Sequence, residues 1–299
     1  MIFPAFVRRF SMFIGVHRRS SAVKALLFGF LVLTSGTAPA QDAEGYFRFD
    51  VPYVPTPQPV VDEMLRIANV GPQDFIIDLG SGDGRIPITA ARKFGARGYG
   101  VDLDPDRIAE SRYNLEQAGL GNRVAFHQRD LFATDLTQAS VISMYLLPGV
   151  NLRLRPKLLD LKPGTRIVSH DFDLGEWKPD RKVTLRKNIF LWTVPAKVAG
   201  RWRMTLDLPS GKRDFELELR QQFQEFDGVV RSGPRPVGLW EPHLEGERIR
   251  FVIVDDGGGT EASLYFEGRV SGDIMEGTVT RGVGREATRQ PWRAARAGS

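Results

Sequence analysis

Asp78-Leu-Gly-Ser-Gly-Asp-Gly84 is the stretch that fixes the fold. The apolar run Phe75-Ile-Ile77 precedes it and is short enough for a buried strand. Arg85-Ile-Pro-Ile-Thr-Ala-Ala-Arg-Lys93 follows it and opens a helix. Three glycines at alternate positions therefore fall on a strand-to-helix turn. Lacking a Cβ, glycine can take positive φ there and let a ligand approach the backbone. The first N–H groups of the helix point into the same space. A cradle of this kind at the carboxyl end of a first strand predicts an α/β fold, doubly wound about a mostly parallel sheet.

The spacing narrows the ligand. Dinucleotide sites carry G-x-G-x-x-G, with a diphosphate on the helix N-terminus. Here the order is Asp-x-Gly-x-Gly-x-Gly, one residue tighter and with an acid in front. An acid repels a diphosphate and suits a ligand that carries an amine and a sulfonium. The plain alternative is an ordinary Gly-rich turn, and the acids that follow argue against it. Residues 99–102 read as a second strand ending at Asp102, which lies 18 residues beyond Gly84. That is close to the spacing at which Rossmann-like folds present a carboxylate to ribose hydroxyls. Residues 105–117 read as a second helix. A third strand, residues 123–127, ends at Gln128-Arg-Asp130-Leu131. Acids at three successive strand ends match repeating βα units. The glycine segment resembles motif I of the class I S-adenosylmethionine (SAM) methyltransferases. That resemblance implies a Rossmann-like fold with S-adenosyl-L-methionine as cofactor. It assigns Asp78, Gly80, Ser81, Gly82, Gly84, Asp102, Asp130 and Leu131 to cofactor binding, with Asp130 beside the adenine.

Composition sets the outer limits. A chain of 299 residues is long enough for two domains. Its formal charge of +5 comes from one end. Arg8, Arg9, Arg18, Arg19 and Lys24 have no acid among residues 1–40; without them 36 of the 41 bases remain, against 36 acids. The balanced remainder gives no reason to expect nucleic acid as a partner. There is no cysteine, which excludes disulfides and thiolate metal sites. Four scattered histidines predict no metal centre.

Residues 1–40 read as an export leader: basic residues, an apolar run over residues 25–33, then Ala38-Pro-Ala40 before Gln41. The run is too short to span a bilayer as a helix. The expectation is cleavage after Ala40 and a periplasmic mature protein, with membrane contact only through the leader. An inner-membrane anchor or a cytoplasmic protein is the alternative. Arg8-Arg9-Phe10 gives a faint twin-arginine pattern.

The catalytic domain is expected over residues 41–198. Its lead-in carries Pro52, Pro55 and Pro57, which bar a helix and favour extended chain. A helix over residues 60–68 caps the first strand. Residues 139–145 and 165–170 read as the fourth and fifth strands, residues 150–161 as a helix between them, and residues 182–194 as a closing hairpin. From residue 199 the texture changes. Alternating stretches at 201–208, 215–220, 248–254, 263–270 and 278–281, divided by Gly-bearing turns, predict a small, separable antiparallel all-β module, barrel or sandwich, over 199–299.

Candidate chemistry lies at the later strand ends. Tyr145 closes the fourth strand, in a loop that faces the transferable methyl group in Rossmann-type methyltransferases. With Leu146 and Leu147 it offers an aromatic and apolar wall that can hold a target atom in line. Packing of Tyr145 under the sheet edge is the plain alternative, and the two leucines read as core. His170 and Asp171 follow the fifth strand, as proton acceptors or as loop-closing residues. Asp83 and Arg85 pair with each other or hold a cofactor carboxylate; Asp135 and Asn151 read as turn and cap.

From residue 51 to residue 180 the order of segments is more specific. Asp78-Leu-Gly-Ser-Gly-Asp-Gly-Arg85, Asp130-Leu-Phe132 with Asp135-Leu136, residues 154–161 and His170-Asp-Phe172 with Trp177 resemble the mitochondrial lysine methyltransferases that modify the ATP synthase c-subunit and the adenine nucleotide translocator. The resemblance implies methyl transfer to a protein lysine. The leader, the β module and Tyr145-Leu-Leu-Pro148 depart from that family. A small-molecule N- or O-methyltransferase is the alternative. So is an exported SAM- or nucleoside-binding protein without turnover, since SAM is made in the cytoplasm.

Overall fold

The computed structural model describes residues 53–233, 235–255, 262–282 and 287–298. The leader, its cleavage point and the start of the lead-in lie outside them. The described chain forms one compact unit.

Its first half is a seven-stranded sheet ordered β3-β2-β1-β4-β5-β7-β6. Helix α1, Gln58–Ile67, leads into β1, Phe75–Leu79. Ile76, Ile77 and Leu79 are fully buried, the mark of a central parallel strand covered on both faces. Then follow α2, Arg85–Phe94; β2, Arg97–Asp102; α3, Pro105–Ala118; β3, Val124–Gln128; β4, Val141–Met144; α4, Pro148–Leu159; and β5, Arg166–His170. The antiparallel pair β6, Arg181–Thr184, and β7, Asn188–Thr193, closes the sheet beside β5. Local chemistry sets the helix ends. Pro105 and Pro148 sit in the first turns of α3 and α4, where a missing N–H costs nothing. Asp104 caps α3 by accepting from the Asp106 N–H at 2.9 Å. The strand order reverses between β1 and β4, which opens a crevice at their carboxyl ends.

The second half is a closed antiparallel barrel of eight strands: β8, Gly200–Leu208; β9, Gly211–Gln222; β10, Glu225–Arg231; β11, Val237–Glu245; β12, Arg248–Asp255; β13, Ala262–Ser271; β14, Ile274–Arg281; and β15, Thr288–Arg296. Pairing of β15 with β8 closes it, so a barrel forms rather than a sandwich. Its interior is filled. Phe251 and Phe266 stack at 4.7 Å, with the Trp292 ring edge-on to both. The alternation picks out five of these strands and misses β10, β11 and β15. In β11 a bulge between Trp240 and His243, with Glu241 at φ 50, breaks the period.

Candidate active site

A cavity of about 200 Å³ lies at the crevice. Asp78, Gly80, Ser81 and Gly82 line it from the loop after β1, and Asp102 from the end of β2. Asp130 and Leu131 line it from beyond β3, and Tyr145 and Leu146 from beyond β4. Gly84 does not line it. That glycine starts α2 at φ 81, and a Cβ there would meet the Phe126 ring at 2.4 Å. Its role is to bring helix and sheet together. Gly82, at φ 51, does face the cavity, and a Cβ would meet the Tyr53 ring at 2.4 Å.

The carboxylates differ in environment. Asp78 is buried and accepts from Ser143 Oγ at 2.7 Å. Burial, with Asp102 and Asp83 nearby, pushes its carboxyl up to about 7. Asp102 accepts from the Gly82 N–H at 2.9 Å and the Asp104 N–H at 3.0 Å. Its first task is thus to shape the glycine loop, and a carboxylate has further lone pairs for ribose hydroxyls. Asp83 pairs with Arg85 at 2.6 Å. Burial raises the Asp83 carboxyl, but the Arg85 hydrogen bonds outweigh it and leave the group below its ordinary value.

The proline-bearing lead-in, which composition reads only as extended chain, forms a strap over the loop. Tyr53 and Thr56 line the cavity. Arg85 donates to the Thr56 carbonyl at 2.8 Å. Buried Thr56 shares a hydrogen bond with His170 Nδ1 at 3.1 Å. Arg107 lies over the Tyr53 ring at 4.7 Å. The available signal is the rigid spacing of Pro55 and Pro57 around a buried hydroxyl just ahead of α1.

His170 and Asp171 do not line the cavity. His170 stands behind Tyr145, ring centroids 4.0 Å apart, and burial holds its imidazole below the usual range. Phe172 stacks on Tyr145 at 6.1 Å. Asp171, at φ 68, is paired with Lys187 from the β6–β7 turn, a partner that no sequence pattern suggests. That bond raises the Lys187 ammonium. Asn151 is no cap. It is buried inside α4 and donates to the Phe172 and Asp173 carbonyls at 3.3 and 3.1 Å. Asp135 does accept from the Thr137 N–H, forming a turn. Leu146 is core, but Leu147 is exposed.

The cradle fits SAM. Asp78 is a buried acid at the cavity wall for a cationic group, and Ser81 Oγ is buried with no hydrogen-bond partner among the described residues. The positive-φ glycines leave backbone open to a ligand.

Comparison with known proteins agrees. Residues 78–181 match the family described as the ANTKMT methyltransferase domain. A protein-lysine N-methyltransferase of Saccharolobus islandicus is 43% identical over 152 residues, which are 50% of this chain and 94% of that protein. The adenine nucleotide translocase lysine N-methyltransferase of mouse is 36% identical over 134 residues, 44% of this chain. The mouse lysine N-methyltransferase of the ATP synthase C-subunit is 33% identical over 133 residues, also 44% of this chain. This chain spans 58% and 52% of those two mouse enzymes. Among solved structures, one described as an RNA methyltransferase from Salinibacter ruber, in complex with S-adenosyl-L-homocysteine, is 52% identical. It covers 48% of this chain and 96% of that one, with a TM-score of 0.48. With its glycine cradle, its strand-end acids and near-complete coverage of the Saccharolobus enzyme, the chain belongs to that enzyme's family of SAM-dependent methyltransferases.

Proposed function

We propose that the methyl acceptor is the side-chain amine of a protein lysine, entering at Tyr145. SAM, when bound, supplies an electrophilic methyl on a sulfonium. The chain's own residues hold, orient and desolvate. Asp78 faces the cationic end of the cofactor, and Asp102 and Asp130 stand where ribose and adenine would lie. The observation that carries the acceptor reading is the wall beside them: Tyr145 faces the cavity, with His170 and Phe172 packed against its ring and Leu146 next to it. A lysine must lose its proton before it attacks. From a reference pKa near 10.4, that costs about 4 kcal/mol near pH 7.4. An apolar, aromatic wall disfavours the ammonium and offsets part of this cost. His170, neutral and turned to Thr56, supports the wall rather than taking the proton itself. The kinship with enzymes named for lysine methylation supports the same reading.

Transfer of labelled methyl from SAM to host extract, separated into membrane-protein, soluble-protein, RNA and small-molecule fractions, tests it. Label on lysine is expected. Label in RNA or in small molecules alone overturns it. Tyr145→Ala should leave SAM affinity within about twofold of wild type and cut transfer about tenfold or more. Unchanged transfer removes Tyr145 from the acceptor wall. The export of residues 1–40 is likewise a proposal. A mature N-terminus at Gln41 in the native host supports it, and an intact leader overturns it.

A further inference from the structure

The loop between β5 and β6 has two ends with different neighbours. Its first residues belong to the acceptor wall. Phe172 stacks on Tyr145, and its carbonyl accepts from Ser169 Oγ at 2.6 Å. Its later residues meet the barrel. Trp177 is fully buried, and its ring lies parallel to that of Phe223 at 6.1 Å and 13°. Phe223 is the first residue of the two-residue turn joining β9 and β10, yet it packs, half-buried, against the core of the catalytic domain. Arg155 of α4 spans the two ends: it donates to the Leu174 carbonyl at 3.0 Å and sits 5.6 Å from the Phe223 ring. Gln224 adds hydrogen bonds to the Lys178 carbonyl at 2.7 Å and to Asp180 at 3.2 Å. The exposed pair Lys178–Glu225 contributes little.

Two details give this contact a direction. Phe223 holds φ 56, in a tight hairpin where Gly, Asn or Asp fits without strain. A bulky residue stays in such a conformation only when its surroundings over-determine it. The ring contacts of Phe223 lie in the catalytic domain, while Gln221 of β9 donates to its carbonyl from within the hairpin at 2.7 Å. Trp177, in turn, has a buried indole N–H with no partner among the described residues. Packing alone therefore sets its ring, between Phe223 and Trp192.

We propose that the barrel is a positioning part of the transferase: its β9–β10 hairpin wedges Phe223 against Trp177 and Arg155, and so holds Phe172 against Tyr145 at the acceptor wall. The proposal rests on the reading that the acceptor enters at Tyr145. Phe223→Gly in the full-length chain tests it, because glycine suits the turn's φ while the wedge is lost. Hydrogen exchange should quicken across residues 171–180 and stay unchanged across 78–84. SAM affinity should hold within about twofold while transfer to the acceptor falls about tenfold to a hundredfold. Phe223→Tyr should restore both exchange and transfer. Exchange at 171–180 equal to wild type overturns the proposal, as does SAM binding that falls in step with transfer. Faster loop exchange with undiminished transfer overturns the positioning role too; Tyr145→Ala then decides separately whether the acceptor reading fails with it. If Phe223→Gly does not fold, Phe223→Leu, which keeps an apolar side chain at the turn but withdraws the ring from Trp177 and Arg155, must show the same pattern in weaker form or the proposal falls.

Discussion

Asp78 makes the cofactor site sensitive to pH. With its carboxyl pushed from the ordinary 3.8 up to about 7, the unliganded site holds a proton over much of the acidic range. The unfolded chain gives up that proton near 3.8 and the folded chain only near 7. Stability from this group is therefore complete below about pH 4 and is lost as pH rises to about 7. A cation in the cavity favours the carboxylate and reverses the balance. Binding of SAM should release a proton below pH 7, and its affinity should rise with pH and level off above about 7. The slope below that point is about tenfold per pH unit, since one unit is 1.36 kcal/mol. Calorimetry in two buffers of different protonation enthalpy measures the released proton directly. Asp78→Asn should bind more weakly and abolish the pH dependence. A slope that persists in Asp78→Asn assigns the proton elsewhere.

At the scale of elements, the site is made by pieces from far apart in the chain. The strap joins the end of β5 through Thr56 and His170, and joins the start of α2 through Arg85. Thr56→Val keeps the shape, removes one hydrogen bond and leaves a buried imidazole nitrogen unpaired. The expected cost is about 1–3 kcal/mol of stability. If the strap closes the cavity, SAM should also leave about tenfold faster. Stopped-flow release beside a thermal melt separates the effects: a lower melting temperature with unchanged release makes the strap structural only. The same contrast shows what the sequence can reveal. The glycine loop and the acids at the ends of β1 and β2 are local patterns with fixed spacing, so they can be read directly. The strap has no period, because proline-bearing extended chain packs through single side chains. Asn151 looks like a cap in the sequence, but Pro148 starts α4 three residues earlier, which turns Asn151 inward instead of to the helix end. The Lys187–Asp171 pair depends on a turn folding back against β5, which no linear pattern encodes.

For the whole molecule, the question is whether the barrel is cargo or scaffold. Its own aromatic core suggests autonomy. The seam argues the other way. Phe223 packs half-buried against the catalytic core, the Ala196 N–H donates to the Gly246 carbonyl at 2.8 Å, and Gln221 accepts from the Val198 N–H at 2.7 Å while donating to the Ala196 carbonyl at 2.8 Å. A fragment ending at residue 198 would lose all of these and uncover one face of Trp177. Phe223 is only half-buried, so loss of its ring costs less than the about 3–5 kcal/mol of a fully buried phenylalanine, and the lost hydrogen bonds add to it. Small domains have about 5–15 kcal/mol of stability in total. The fragment should therefore melt well below the full chain, with its tryptophan emission shifted to the red. The full chain should unfold in one transition, seen alike by far-UV circular dichroism and by fluorescence. Two separated transitions in the full chain, with the first matching the isolated fragment, would show that the domains fold independently and that the seam adds no measurable stability.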